Sequence, residues 1–222
     1  NVRDTLQALL ALEDGLVLRG RSFTGPGEAK GEVVFNTSMT GSQEILTDPS
    51  YKGQIVTMTY PMMGNYGVNP EDIEPAGIQV EGFIVKEYHQ QPSNWRAKGD
   101  LAAYLKAAGK LGVEGFDTRA ITKHLRVAGA MKAVLSTADL NRDHLVEKAR
   151  TSPGLIGRDL VKEVTCEKSF PWAARNGSPF SPQPLLPSTS HFEPKVVVLD
   201  YGVKYNILRS LCDWNCEVTV LP

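Results

Sequence analysis

Between Cys166 and Pro194 the sequence places six of its fourteen prolines, mixed with serines. Proline has no backbone N–H and holds φ near one value, so such a stretch is unsuited to a helix interior or a central strand. It reads as an extended linker and cuts the chain into parts that must each find their own core. The expected organisation is a first domain over residues 1–152, a linker over 153–194 and the start of a second domain over 195–222. At 222 residues, one to two domains fit, and the composition is that of a globular protein, 41% hydrophobic and 22% charged. A formal net charge of −1 offers no electrostatic footprint for nucleic acid or an anionic membrane. Three cysteines without regular spacing argue against a disulfide framework and fit a reducing compartment. The run "ALLAL" is too short for a signal peptide or a membrane span, so a cytoplasmic protein is expected.

The first domain reads as strand-rich. "LLALEDGLVLRG" has apolar runs on both sides of Asp14-Gly15, a hairpin signal. "GEVVFN", "QIVTMTY" and "GIQVEGFIVKE" read as strands, the last with Ile78, Val80 and Ile84 on a drier face than Gln79, Glu81 and Phe83. Asp100 and Asp117 are placed to cap helices that Gly109 and Gly129 end, "MKAVLST" returns as a strand, and 139–150 form a helix with Leu140, Leu145, Val146 and Ala149 on one face. After the linker, "KVVVLDYGVKYNILRSLCDWNCEVTVLP" has the pattern of a strand, a turn, a helix and a strand, the opening βαβ unit of a parallel sheet. Two strands and one helix cannot bury their own faces, so a larger α/β domain is expected to continue beyond Pro222. The fold class expected is α/β.

Between Asn36 and Val56 stand eight Ser, Thr, Asn or Asp residues and Gln43, where a plain connection between two strands needs only a few residues. Thr40-Gly41-Ser42-Gln43 fits a capping box before a short helix, and Thr47-Asp48-Pro49-Ser50 is a turn signal. Two readings stand side by side: the hydroxyls satisfy backbone donors in a long loop, or the loop presents Ser50 to a polar ligand, since a hydroxyl both donates and accepts. Cys166, Cys212 and Cys216 lack the flanking glycines of a nucleophile on a tight turn, and buried structural thiols are the plainer reading. The i, i+4 pair Cys212 and Cys216 has no histidine near it in sequence, and His89, His124, His144 and His191 are scattered, so no metal site is expected. No phosphate-binding glycine motif is present. The strand-to-helix turn "LDYGVKYN" places Lys204 where α/β proteins bind ligands, though a solvated lysine reads equally well.

The stretches "LEDG" (12–15), "GEVVFNTSMTGSQEILTDPSYKGQIVTMTYP" (31–61), "DTRAITKHLRVAGAM" (117–131), "PGLIGRDLVKEVT" (153–165) and "VVVLDYGVKYNILRSL" (196–211) together resemble the small, glutamine-hydrolysing subunit of carbamoyl-phosphate synthetase, of the bacterial two-subunit type. The resemblance runs in order through nearly the whole chain. It implies a flavodoxin-like class I glutamine amidotransferase domain beginning at residue 195. It also implies glutamine hydrolysis, with ammonia passed to a large subunit that makes carbamoyl phosphate from bicarbonate and ATP for arginine and pyrimidine synthesis. The chemistry implied is attack by a Cys thiolate, with a His moving protons and an acidic residue orienting it. Ser50 is implied as a glutamine contact and Lys204 as a neighbour of the pocket. The nucleophile elbow and its His and Glu find no match in 1–222, so no catalytic residue is expected here and this stretch alone is expected to be inactive. No cofactor is implied in this chain; ATP and a divalent cation belong to the large subunit. The partners implied are the large subunit and glutamine, with neither nucleic acid nor membrane. The alternative is a non-catalytic module that docks on the large subunit.

Overall fold

The computed structural model describes residues 6–69, 77–175 and 193–222. His191 and the densest prolines of the linker lie outside the described residues. The described chain divides into two units, residues 1–158 and 159–222.

The first unit is a closed, mixed barrel with helices around it. In chain order its strands are β1 (Gln7–Leu12), β2 (Val17–Ser22), β3 (Glu28–Asn36), β4 (Gln54–Met58), β5 (Met62–Met63), β6 (Gly82–Ile84), β7 (Glu87–Tyr88), β8 (Leu111–Glu114) and β9 (Met131–Ser136). Around the barrel the order is β1-β2-β8-β6-β4-β3-β9, and β9 closes back on β1 with Leu10 opposite Leu135. β3, β4, β6 and β8 run parallel to one another, while β5 and β7 form a separate two-stranded ladder. Strand side chains alternate faces, and here both faces are apolar. Ala8, Leu10 and Leu12 point inward with Ile55, Ile84, Val113 and Leu135. Leu9, Ala11 and Val134 point outward, where α4 (Arg142–Thr151) covers them with Leu145, Val146 and Ala149. On another flank Val56, Met58 and Phe83 lie under α1 (Ser42–Thr47) and α2 (Leu101–Ala107). The interior is completed by α3 (Thr118–Ala128), whose Ile121 and Leu125 join the inward cluster.

The local signals act as their chemistry dictates. The β1–β2 hairpin turns through Glu13-Asp14-Gly15, with Gly15 at φ 104° and the Asp14 carboxylate accepting from Leu16 N–H. Asp100 and Asp117 accept from the N–H groups of Ala103 and Ala120 at 2.8 and 2.9 Å, satisfying first-turn donors of α2 and α3. Asn141, rather than a residue at 139, caps α4, so Leu140 precedes the helix and stays 43% exposed. The region "GIQVEGFIVKE" contains only the short β6 and the start of β7, and Phe83 is as fully buried as Ile84. A dry and a wet face do not form because β6 sits between β4 and β8 with α2 on its outer side. There Gly112 of β8 lets Phe23 and Leu105 approach where a Cβ would lie 2.5 Å from the Phe23 ring.

The second unit holds α5 (Val161–Val164), β10 (Phe170–Trp172), β11 (Lys195–Leu199), α6 (Tyr205–Asp213) and β12 (Glu217–Leu221). β11 and β12 are parallel neighbours joined through α6, as the sequence pattern implies. β10 adds an antiparallel strand on the far edge of β12, giving the order β10-β12-β11. Thus α5 and β10 lie within 153–194, the stretch that reads from its prolines as a linker. α6 covers one sheet face through Leu208 and Cys212, packed with Val218, Val220, Phe170 and Trp172. Val197 and Leu199 of β11 are 63% and 55% exposed.

One polar atom inside the barrel is unmatched. Thr57 is fully buried on the same side of β4 as Ile55, opposite Phe35 and Ile84, and its hydroxyl has no hydrogen-bond partner among the described residues. An unpaired buried hydroxyl costs about 1–3 kcal/mol. Thr57→Val keeps the shape and removes that cost. The variant should be more stable by about 1 kcal/mol, raising Tm by about 2–4 °C in a thermal melt; an unchanged or lowered Tm would show that the hydroxyl is satisfied.

Candidate functional site

The long polar segment is the connection between β3 and β4, and these strands are parallel neighbours. A parallel pair cannot be joined by a tight turn; the chain must return along the strand, which takes a dozen or more residues. The length of the segment therefore follows from topology, and the expectation of a short connection is corrected.

Within it, the polar groups hold the backbone. Asn36 accepts from Ser38 N–H at 2.7 Å and donates its amide to the Tyr51 hydroxyl at 2.8 Å, tying the start of the segment to its end. Thr40 does not cap α1. The cap position is Gly41, at φ 77° in the left-handed region, and no side chain bonds there. Gln43 instead turns inward, 1% exposed, and its amide closes a two-way clamp: it donates to Asn69 C=O at 2.7 Å and accepts from Asn69 N–H at 2.8 Å. Thr47 donates to Gln43 C=O within α1. Asp48, buried, accepts from Ser50 N–H at 2.9 Å and starts the single 3₁₀ turn Pro49–Tyr51.

Ser50 stands on that turn with Pro49 buried before it, Tyr51 anchored after it, and its own side chain exposed. The loop's polar residues thus fix the main chain and leave this hydroxyl facing outward. The reading in which side chains satisfy backbone donors and acceptors describes much of the segment. A cleft of about 280 Å³ opens on the other end of the segment, lined by Met39 to Ser42 with Tyr60, Met62 and Tyr66, and Ser50 is not among its walls.

In the second unit Lys204 is exposed at the cap position of α6, on the turn that follows a parallel strand. The residue that builds this turn is Asp200, which sequence reasoning passed over. Its carboxylate accepts from Gly202 and Val203 N–H at 2.9 Å and from Cys166 N–H at 2.8 Å, and its carbonyl accepts from the Thr165 hydroxyl. The signal was present in "LDYG", since Asp two residues before Gly is a common start of a side-chain-closed turn.

Two of the three thiols, Cys166 and Cys212, are shifted away from ionisation. Burial, and then the neighbouring Asp200 carboxylate, push the Cys166 thiol up; burial pushes up Cys212, whose Sγ lies 3.5 Å from Trp172 C=O. A nucleophile needs the opposite shift. Two histidines of the first unit are held by carboxylates: His124 Nε2 is 2.5 Å from Asp14 and His144 Nδ1 is 2.7 Å from Asp139. Among the described residues no cluster of three or more His, Cys, Asp or Glu could hold a metal ion, and no helix is long and apolar enough to cross a membrane.

Residues 10–135, which span most of the barrel, match the family described as carbamoyl-phosphate synthase small chain, CPSase domain. The carbamoyl phosphate synthase small chain of Syntrophotalea carbinolica is 52% identical over 217 residues, covering 98% of this chain and 57% of that relative. Those of Nitratidesulfovibrio vulgaris strain Hildenborough and Aquifex aeolicus are each 50% identical, over 217 and 215 residues, covering 98% and 97% of this chain. The chain belongs to the carbamoyl-phosphate synthase small chain family. It spans 57–58% of the length of these relatives.

The Asp200 turn has a pH signature. Burial pushes its carboxyl up, but the N–H groups of Val203, Gly202 and Cys166 outweigh burial and hold it below its ordinary 3.8. A folded-state pKa below the unfolded one means stability that is complete above the unfolded value and is lost as pH falls through the folded one. Asp200→Asn should cost about 2 kcal/mol at neutral pH, measured by denaturant unfolding. The gap to the native protein should close as pH falls below 3.8; a gap independent of pH would show that the charge is not what holds the turn.

Proposed function

We propose that this chain is the N-terminal part of a glutamine-hydrolysing carbamoyl-phosphate synthase small chain, with Ser50 contacting glutamine. The observation that carries the reading is the presentation of Ser50: an exposed hydroxyl on a turn stiffened by Asp48, Pro49 and the Asn36–Tyr51 bond. Such a group donates to and accepts from a side-chain amide without first being ordered. Lys204 is assigned as a further ligand neighbour, at the carboxyl end of a parallel strand where α/β sheets bind ligands. The unit around it is the opening of a flavodoxin-like amidotransferase domain. The thiol, imidazole and carboxylate of the glutaminase reaction lie outside residues 1–222, and this stretch by itself is inactive. Ammonia passes to a large chain in the cytoplasm, which holds ATP and a divalent cation.

Two experiments test this. In the native enzyme Ser50→Ala should lower kcat/KM for glutamine about 5- to 150-fold, the worth of about 1–3 kcal/mol of lost hydrogen bonding, while synthesis from free ammonia stays as it was. Equal loss with both nitrogen sources, or no loss, would remove Ser50 from the pocket. An electrophilic glutamine analogue reacted with the native enzyme should leave Cys166, Cys212 and Cys216 unlabelled on peptide mapping, and label on any of them would place the nucleophile within this chain.

A further inference from the structure

Helix α3 does two unlike things with its two sides. Thr118, Ile121 and Leu125 are buried. On the outer side Arg119, Lys123 and Arg126 are exposed, and Val127 beside them is 91% exposed. Positions 119, 123 and 126 fall on one helical face. None of the three cations has an ion-pair partner among the described residues. The acids close by are committed elsewhere: Asp117 caps the helix, Asp14 holds His124, and Glu13 pairs with Lys132.

Local stability does not account for this stripe. Arg126 in the last turn is favoured by the helix dipole, but Arg119 is the second residue of the helix, where the dipole is positive and a cation is disfavoured. Ion pairs along the helix do not compensate it either. In a chain with 24 basic and 25 acidic side chains, three uncompensated cations on one face are a local excess. The complement of that face is a surface bearing carboxylates, with an apolar contact for Val127 at its end. A polyanion fits less well, because the chain carries a net charge of −1.

We infer that the outer face of α3 docks against a carboxylate-bearing surface of the large-chain partner. This rests on the small-chain reading above and adds where the partner sits. Charges at such a surface act mainly on the rate of association and on its salt dependence.

The test uses the native small chain and its large chain, with association followed by stopped-flow or surface plasmon resonance from low to high salt. The triple variant Arg119→Glu, Lys123→Glu, Arg126→Glu should associate about tenfold or more slowly at low salt, with a flatter salt dependence. The triple Gln variant should fall between it and the native protein, and both should melt as the native chain does. Native rate and salt slope in the Glu variant would overturn the inference. So would a variant that loses only retention on RNA, or one whose isolated chain melts lower, since the face would then serve a nucleic acid or the chain itself. If the native pair fails to associate, the small-chain reading falls and this inference with it; association of the native pair with an unaltered variant sinks the inference alone.

Discussion

Everything around the candidate site depends on β3 and β4 lying side by side and parallel in a barrel closed by β9 on β1. Parallel neighbours oblige the chain to travel back along the strand, and that return path is residues 37–53. Once the path is long, its backbone groups need partners, and the Asn36, Thr47 and Asp48 side chains supply several of them, while Gln43 ties the path to the backbone of Asn69. The result is a surface loop with the order of a core element. An ordered loop is what lets a single exposed hydroxyl have a defined direction, because a ligand that must first organise seventeen residues loses that entropy from its binding.

Much of this was legible from the sequence where the physics is local. The Asp14-Gly15 hairpin, the Asp100 and Asp117 caps and the βαβ order of 195–222 follow from turn and capping chemistry within a few residues. What was not legible is what pairs at long range. The parallel β3–β4 register cannot be read from either strand, so the loop looked longer than a plain connection needs when its length is a topological requirement. Gln43 looked like part of a capping box because its partner, the backbone of Asn69, is 26 positions away. Phe83 looked solvent-facing because alternation predicts a wet side, and only the presence of α2 over β6 makes that side dry.

The second unit shows the same division in reverse. Proline density does not say where pairing begins. Phe170–Trp172 pairs with β12 although Pro171 sits in the middle, and it can do so because β10 is the outermost strand of the order β10-β12-β11. Asp200 then ties the stretch before β10 to the turn after β11 by accepting from Cys166 as well as from Gly202 and Val203. The strand-to-helix turn that carries Lys204 is thereby shaped by a buried carboxylate that does not itself face outward.

The two proposed roles, substrate contact and subunit docking, fall on different parts of the barrel. Ser50 needs a rigid backbone behind it and gets one from the segment entering β4. The outer face of α3 needs nothing from its own charges, because Ile121 and Leu125 anchor the helix from the other side. That separation is why Arg119 can sit against the helix dipole: a core-facing stripe of buried apolar side chains, each worth about 1.5–3 kcal/mol, outweighs a dipole term of about 0.3–1 kcal/mol. The surplus leaves the outer surface free to be shaped by whatever meets it.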